Sequence, residues 1–289
     1  MSKKSKMLLC ACITVLFWAS AFPMTKVAQA HFTPIPLAFV RCTVASTVLL
    51  IAGFINKIKI PKKKDIPLFL MTGAGGFGVY MIAFNTGLLT ITAATSSIII
   101  AITPIITAAV GTVVYKEKIK PLGWVAIASA FIGVLVLLLW DGILSLNIGT
   151  LLTLFAAFVF SAYHLVSRKL LQRGYTSLEI TTYSIFFGAL MCSYAAPAGF
   201  AELSTANVSE IGALVFLAMV PSAMAFFLWG KALSYAEKTS DVTNFMFVTP
   251  LLSTIMGFIL LGEVPNLGSL IGGVIIVASI VTFNKVAFN

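Results

Sequence analysis

Residues 103–117 have the sequence TPIITAAVGTVVYKE, which returns in related form at residues 249–263 as TPLLSTIMGFILLGE. In both stretches a Thr-Pro pair opens an apolar run, and a glutamate stands thirteen residues after the proline. The two copies lie about half the length of the 289-residue chain apart. A shorter match, Ser20-Ala21-Phe22 with Ser161-Ala162-Tyr163, keeps nearly the same offset. This self-similarity predicts an internal duplication.

The composition of the chain differs sharply from that of a soluble protein. Hydrophobic residues make up 60% of the chain and charged residues 10%, with a mean hydropathy of +1.05. A soluble domain is about 45–50% apolar and about 25% charged, so a soluble globule and a disordered chain are both excluded. Apolar runs of roughly 20 residues are long enough to cross a bilayer as helices. The runs predict ten such helices, at approximately residues 7–28, 35–55, 67–88, 93–115, 121–140, 148–167, 178–199, 210–233, 240–261 and 267–284.

The positive charges are distributed unevenly between the two sides of the predicted membrane. The chain has 19 Lys and Arg residues against 9 Asp and Glu. With the N-terminus in the cytoplasm, only Lys26 and Arg41 of these 19 lie on the outer side. Such an imbalance marks the cytoplasmic surface. It predicts a multi-pass protein of the cell (inner) membrane with both termini in the cytoplasm, and it accounts for the net charge without a nucleic-acid partner.

The duplication and the number of spans together predict an inverted repeat. Residues 1–143 and 144–289 each hold five predicted helices, and an odd number turns the second copy over in the membrane. Glu117 then ends its helix at the cytoplasmic face, whereas Glu263 ends the matching helix at the outer face. Inverted repeats have two nearly equivalent packings, which is the basis of alternating access in secondary transporters. The predicted fold is an all-α integral membrane protein of ten transmembrane helices in two inverted five-helix repeats; a duplication kept only for packing is the alternative.

Several short motifs resemble the EamA-type family of the drug/metabolite transporter superfamily. They are residues 17–22 (FWASAF), 36–41, 84–88 (FNTGL), 93–94, 103–104 and 117 in the first half, and residues 223–229, 232–235, 249–250 and 261–263 (LGE) in the second. The resemblance covers essentially the whole chain and implies two EamA-like units of five helices each. Members of that family export amino acids, nucleosides, sugars and drugs. The resemblance therefore implies a secondary transporter that exports small metabolites, such as amino acids or related amphipathic solutes.

The candidate substrate-binding residues combine ring surface with a few hydrogen-bonding groups. A mostly apolar pocket with few polar groups suits a small amphipathic solute. The aromatic candidates lie on predicted spans one, three, six and eight, which line the central cavity in the transporters that this chain resembles. Taken singly, each aromatic residue more often packs in a core or at an interface. The twelve candidates are Trp18, Phe22, Arg41, Tyr80, Phe84, Asn85, Ser97, Tyr163, His164, Trp229, Lys231 and Asn244.

Three of these candidates have basic side chains, and each has two interpretations. Ionisable groups inside a membrane are expensive and are functional candidates for that reason. Arg41 either binds the substrate or tethers two helices. His164 either relays a proton or packs as a hydrogen-bonded core residue. Lys231 either sets the charge preference for the substrate or extends its ammonium group to the membrane surface.

Four residues are candidates for gating. Pro104 and Pro250 occupy matching places in the two halves, and a proline within a helix frees a backbone carbonyl and kinks the chain. A static kink is the alternative. Glu117 and Glu263 end matching helices at opposite faces, where either a gate contact or a structural role at the interface is expected. The glycine-rich residues 73–78 fit a dinucleotide pattern, but they lie inside an apolar run, which favours close helix packing instead.

Enzymatic chemistry finds no support in the sequence. None of the nine acidic residues lies in the middle of a predicted span, and paired-aspartate, zinc-histidine and Gly-x-Ser-x-Gly motifs are absent. The four cysteines lack the spacing of a metal site. We therefore expect no catalytic residue, metal or cofactor; a polytopic membrane enzyme and a structural membrane subunit are the alternatives. The expected partners are a small-molecule substrate and the lipid bilayer, with a monomer sufficient for the pathway and a homodimer as the alternative.

Overall fold

The computed structural model describes residues 2–114, 119–140, 147–236, 242 and 244–286. These residues form helices joined by short turns, with no strand among them. The helices of the N-terminal half are α1 (Lys3–Ala28), α2 (Pro34–Ile55), α3 (Ile66–Gly76), α4 (Gly78–Gly87), α5 (Ala93–Ile100), α6 (Thr103–Val114) and α7 (Pro121–Leu139). Those of the C-terminal half are α8 (Ile148–Gln172), α9 (Ser177–Met191), α10 (Ala196–Thr205), α11 (Val208–Leu217), α12 (Ala225–Tyr235), α13 (Thr249–Leu261) and α14 (Leu267–Val286). Short 3-10 helices cover Lys63–Asp65, Ser193–Ala195 and Asn244–Val248, and a π-helix, Ala218–Met224, joins α11 to α12.

Many of these helices are long and apolar enough to cross a membrane. Six such stretches occur in the described residues: Lys3–Ala28, Pro34–Ile55, Lys63–Gly87, Ala93–Val114, Ile148–Gln172 and Val208–Tyr235. The pair Ser177–Met191 and Ser193–Thr205, bent by 53°, makes a seventh if it is one span. Shorter apolar stretches are Pro121–Val136, Thr249–Leu261 and Leu270–Phe283. The fold is therefore that of an all-helical, multi-pass membrane protein; the full count of ten crossings stays a prediction.

Polar residues at the turns fix where several helices begin. Thr176 and Glu179 form a capping box at the start of α9, in which each side chain bonds the backbone amide of the other residue. Asn207 and Glu210 form the same arrangement before α11. Asn147 caps α8 by accepting a hydrogen bond from the amide of Gly149. Because apolar helices give no other signal for their ends, these caps set the boundaries of the helices that follow.

The glycine-rich segment brings three helices into close contact. A Cβ atom on Gly75 would lie 2.9 Å from the carbonyl oxygen of Val159 in α8, and one on Gly73 would lie 2.8 Å from Cβ of Phe187 in α9. Only a residue without a side chain fits at such distances. The chain then breaks at Phe77, where φ is −136° and ψ is −63°, so α3 and α4 are separate helices. Close helix packing accounts for the glycine pattern, as the sequence predicts.

The helices around the centre of the molecule come from both halves of the chain. α1 packs against α12, α13 and α5, and α2 packs against α4, α9 and the π-helix. α7 and α14 pack against each other, and a Cβ on Gly133 of α7 would lie 2.9 Å from the carbonyl oxygen of Gly272 in α14. These small residues therefore serve a contact within the chain. The arrangement leaves α1, α2, α4, α5, α8, α12 and α13 around a common centre.

Candidate functional site

A central cavity of about 30 Å³ lies between helices of the two halves. Its lining is apolar apart from a guanidinium group, a threonine and the polar atoms of two aromatic rings. The lining residues are Trp18, Ala21, Phe22, Arg41, Tyr80, Met81, Phe84, Ile100, Ala101, Phe160, Pro221, Phe226, Met246 and Thr249. This composition is typical of a site for a small amphipathic molecule.

The structure brings five of the twelve candidate residues to this cavity. They are Trp18, Phe22, Arg41, Tyr80 and Phe84. Pro221, Phe160, Phe226 and Thr249 also line it, although the sequence does not single them out as binding residues. Of these four, two carry a signal in the sequence. Pro221 is a proline in the middle of an apolar run, which marks an irregular helix. Thr249 belongs to the repeated Thr-Pro motif.

The aromatic rings form one continuous wall. The ring of Trp18 lies 5.7 Å from that of Phe160, 5.2 Å from that of Phe226 and 4.8 Å from that of Trp229, measured between centroids. Tyr80 stacks on Phe160 at 4.6 Å. Such ring pairs hold one another in fixed orientations, and each contributes about 0.5–1.5 kcal/mol beyond the area that it buries. The wall is therefore a preformed apolar surface.

The guanidinium group of Arg41 provides the charge at the cavity. The side chain is 4% exposed, and its Nε donates a hydrogen bond of 2.7 Å to the hydroxyl oxygen of Ser222. None of the carboxylates in the described residues forms an ion pair with it. The Arg41–Ser222 bond links α2 to the π-helix, so the structure supports the tethering interpretation while leaving a positive charge at the cavity wall.

The π-helix positions two groups of the site. Pro221 has no backbone N–H and cannot continue the α-helical hydrogen-bond ladder, and an inserted residue in a π-turn accommodates this loss. The carbonyl oxygen of Pro221 accepts a hydrogen bond of 3.2 Å from the indole N–H of Trp18. The hydroxyl of Ser222 donates a hydrogen bond of 2.9 Å to the carbonyl oxygen of Leu217, five residues earlier. The irregular turn thus holds both Trp18 and Arg41 in place.

Three further candidates lie beside the cavity and support its wall. The indole N–H of Trp229 donates a hydrogen bond of 3.3 Å to Nδ1 of His164, and both side chains are buried. Since an indole N–H only donates, Nδ1 is the acceptor and the imidazole is held in one neutral tautomer. Tyr163 packs edge-on against Phe226, with 5.3 Å between the ring centroids. This geometry favours the packing interpretation of His164 over a proton relay.

Other candidates lie away from the cavity. Asn85 donates a hydrogen bond of 3.0 Å to the carbonyl oxygen of Pro34, and Ser97 donates one of 2.7 Å to the carbonyl oxygen of Ala94 in its own helix. Lys231 lines a second, wider pocket of about 540 Å³ together with Arg168. The side chain of Asn244 and the whole of Glu117 lie outside the described residues. Within the described part of the chain, no group of three or more His, Cys, Asp or Glu is placed to hold a metal ion.

Glu263 connects three helices that contribute to the cavity lining. Its Oε1 accepts a hydrogen bond of 2.6 Å from Nζ of Lys26, at the end of α1. Its Oε2 accepts one of 2.8 Å from the amide of Ala93, the first residue of α5. Glu263 itself follows the end of α13, where Gly262 takes a left-handed conformation with φ of 65°. We call this contact of Lys26, Ala93 and Glu263 the latch.

Both candidate hinge prolines stand at interruptions of apolar stretches. Pro104 is the second residue of α6, directly after the break that follows α5. Pro250 is the second residue of α13, directly after a 3-10 helix. A proline in the first turn of a helix does not disturb its hydrogen bonds. Each proline therefore begins a helix after a break, rather than kinking a continuous one.

Comparison with known proteins identifies the family. The sequence profile of the EamA-like transporter family matches residues 5–139 and again residues 147–285. A protein of Streptantibioticus cattleyicolor named "probable terminal-alkyne amino-acid exporter" is 30% identical, over 98% of this chain and 95% of its own. The "uncharacterized transporter YdfC" of Bacillus subtilis is 30% identical, over 91% and 86% of the two chains. A "probable amino-acid metabolite efflux pump" of Salmonella typhimurium is 27% identical, over 97% and 94%.

A protein of known crystal structure has the same fold. It is similar with a TM-score of 0.63 and 18% identity, over 96% of this chain and 97% of its own. At that identity the likeness concerns the fold alone. The matches in sequence are to proteins named as transporters, exporters and efflux pumps, which are not enzymes. The chain is a membrane transporter that belongs to the EamA-like transporter family.

Proposed function

We propose that this transporter exports small amphipathic metabolites, such as amino acids, across the cell (inner) membrane by alternating access. In this proposal residues 1–143 and 144–289 are two inverted five-helix repeats, and both termini are cytoplasmic. The central cavity binds the solute, and the helices around it open in turn to each side. The single observation that carries the proposal is the central cavity, to which both halves contribute rings and polar groups.

The size of the cavity supports a cycle of opening and closing. A volume of about 30 Å³ is enough for a water molecule but is smaller than any amino acid. A solute therefore enters only when the surrounding helices move apart. Breaks in the helices at Phe77, before Pro104 and before Pro250 give places where such movements are easy. Inverted repeats supply the two alternative packings that such a cycle requires.

The latch supports a gate at the outer end. Lys26 and Glu263 are both predicted to lie on the outer side, and they are in contact. The three helices that the latch joins, α1, α5 and α13, also contribute lining residues to the cavity. Breaking the latch releases these helices from one another, so we assign it as the outer gate. The matching glutamate of the first half, Glu117, is the proposed partner gate at the cytoplasmic face.

Two observations support the substrate and the direction. The rings and the guanidinium group of Arg41 at the cavity match a molecule with one apolar and one charged part. Two of the related proteins are named as an amino-acid exporter and an amino-acid metabolite efflux pump. A monomer contains both halves and suffices for the pathway in this proposal.

Transport by purified protein in lipid vesicles tests the proposal. Vesicles are loaded with a panel of radiolabelled amino acids, and loss of label is compared with that from protein-free vesicles. Phe160→Ala removes a ring from the cavity wall, whereas Phe158→Ala removes a ring that is 44% exposed on the same helix. We expect efflux from wild type and the Phe158 variant, and much slower efflux from the Phe160 variant. A panel on which wild type moves no solute, or equal efflux from the two variants, contradicts the proposal.

A further inference from the structure

We propose that the central cavity recognises a carboxylate group of the solute through Arg41 and Thr249, and that it makes no requirement for an ammonium group. The inference rests on the proposed function, because it concerns the same cavity. It goes further by naming the chemical group that every substrate shares and by adding Thr249 as a binding residue.

The first support is the unused capacity of Arg41. A guanidinium group has five N–H donors in a planar fork, which matches the two oxygens of a carboxylate. Only Nε bonds a described residue, the hydroxyl of Ser222. The two terminal nitrogens have no hydrogen-bond partner among the described residues, and the side chain lines the cavity. A buried charge is strongly destabilising until an opposite charge meets it, and a carboxylate in the cavity meets this one.

The second support is a buried hydroxyl group without a partner. Thr249 is 5% exposed and lines the cavity, and its hydroxyl oxygen bonds none of the described residues. Eight buried side-chain polar atoms of the described residues have no partner, and the hydroxyl of Thr249 is the one among them whose residue lines the cavity. Since buried polar groups in folded proteins nearly always have a partner, this hydroxyl at a cavity points to a ligand. A carboxylate oxygen accepts the hydrogen bond that this hydroxyl can donate.

The other Thr-Pro pair provides a contrast within the same chain. Thr103 is also buried and precedes Pro104 as Thr249 precedes Pro250, yet its hydroxyl donates a hydrogen bond of 2.6 Å to the carbonyl oxygen of Ile100. Thr103 is not among the residues that line the cavity. The two copies of one motif therefore differ in one respect: the hydroxyl of Thr249 is available to a ligand, whereas that of Thr103 is satisfied by the backbone carbonyl of Ile100.

The remaining lining residues account for the other part of the solute. Trp18, Phe84, Phe160 and Phe226 present ring surface, which suits an apolar side chain. Among the described lining residues there is no acidic side chain to pair with an ammonium group. The cavity therefore discriminates by the carboxylate and the apolar part. Amino acids satisfy both requirements, and so do apolar carboxylic acids without an amino group.

A set of matched ligands tests the inference on the wild-type protein. The probes are L-leucine, 4-methylpentanoate and L-leucinamide, with the corresponding phenylalanine, 3-phenylpropanoate and phenylalaninamide. Binding to purified protein in detergent is measured by the rise in melting temperature and by the fluorescence of tryptophan, since Trp18 lines the cavity. We expect binding of the acids with or without the amino group, at least about tenfold tighter than binding of the amides. Amides that bind as tightly as the acids, or acids that do not bind, overturn the inference.

Matched variants connect the effect to the two residues. Thr249→Val keeps the shape of the side chain and loses the hydroxyl, and Thr103→Val makes the same change in the other copy. We expect weaker acid binding in the Thr249 variant, by about threefold to tenfold, and wild-type binding in the Thr103 variant. Arg41→Gln is expected to remove the preference for acids over amides. If it fails to fold, Arg41→Lys, which keeps the charge but loses the fork, is expected to reduce that preference. The inference is contradicted if the folded Arg41 variant prefers acids over amides as strongly as wild type does and the Thr249 variant binds acids as tightly as wild type does.

The experiments distinguish failure of the inference from failure of the proposed function. If acids bind in detergent but no solute moves across vesicles, the proposed function is contradicted and the inference about the site stands. If amides are transported as fast as acids, the proposed function stands and the inference about the carboxylate is contradicted.

Discussion

Replacing Glu263 by glutamine removes the charge that joins the ends of three helices. In the wild-type structure the carboxylate accepts hydrogen bonds of 2.8 Å from the amide of Ala93 and of 2.6 Å from the ammonium group of Lys26. Glutamine keeps an oxygen that can accept the first bond, but it loses the ion pair with Lys26. A hydrogen bond to a charged group contributes about 1.5–3 kcal/mol. Both side chains of the pair are partly exposed, at 24% and 16%, which lowers this contribution. We expect the substitution to destabilise the state with a closed outer end by about 1–2 kcal/mol relative to the open state. This corresponds to an increase of about fivefold to thirtyfold in the ratio of open to closed protein.

The accessibility of the cavity from outside measures this change. Ala21 lines the cavity, and Ala21→Cys is a small change that provides a reactive thiol there. In a protein whose four native cysteines are replaced by alanine, a membrane-impermeant thiol reagent is added to intact cells. The rate of labelling reports the fraction of time for which the cavity is open to the outside. We expect Glu263→Gln to increase this rate by about fivefold to thirtyfold.

Glu210→Gln is the matched control. Glu210 is another partly buried carboxylate: it caps the start of α11 and lies 3.6 Å from Nδ1 of His31, and none of its contacts among the described residues is to α5 or α13. Its replacement is expected to leave the labelling rate unchanged. The assignment of the latch as a gate is refuted if Glu263→Gln labels at the wild-type rate, or if both variants label equally fast.

Three further predictions concern residues around the cavity. His164→Ala should reduce transport without abolishing it, because the imidazole accepts a hydrogen bond from Trp229 and so supports the cavity wall; a variant that inserts correctly and is inactive contradicts this. Gly76→Ala should lower the melting temperature, since a Cβ there would lie 2.6 Å from the ring of Tyr163 and overpacking destabilises by about 1–3 kcal/mol; an unchanged melting temperature would show that α3 and α8 separate easily. Ser222→Ala should raise KM more than it lowers kcat, because Arg41 loses the partner that orients it; an unchanged KM in vesicle transport would mean that this bond positions nothing.

The sequence predicts the helical fold well because the membrane requires it. Every span needs about 20 apolar residues, and charged residues mark most breaks between the apolar runs. The orientation that these charges predict stays a prediction. The glycines at 73, 75 and 76 also indicate tight helix packing, because they lie inside an apolar run, where a nucleotide-binding loop is not expected. The sequence predicts less about helix breaks. Pro104 and Pro250 mark such breaks, but only the structure shows that each begins a new helix.

The site is predicted less completely, because it depends on how each helix is rotated. Trp18, Phe22 and Arg41 can be predicted from residue type alone, and the structure places all three at the cavity. Ser97 has a suitable side chain, yet its hydroxyl bonds its own helix, an outcome that depends on its rotamer. Ser222 escapes prediction because the π-turn inserts a residue and rotates the face that follows it, a shift that no hydrophobic period reveals.

Counterflow in lipid vesicles tests the central claim most directly. Vesicles containing the purified protein are loaded with a high concentration of unlabelled L-leucine and diluted into a trace of labelled L-leucine. A protein that exposes one site alternately to each side exchanges the two, so we predict a transient accumulation of label above its equilibrium level, which then decays. Label that only rises to equilibrium, as it would through an open channel, or label that does not enter at all, contradicts transport by alternating access.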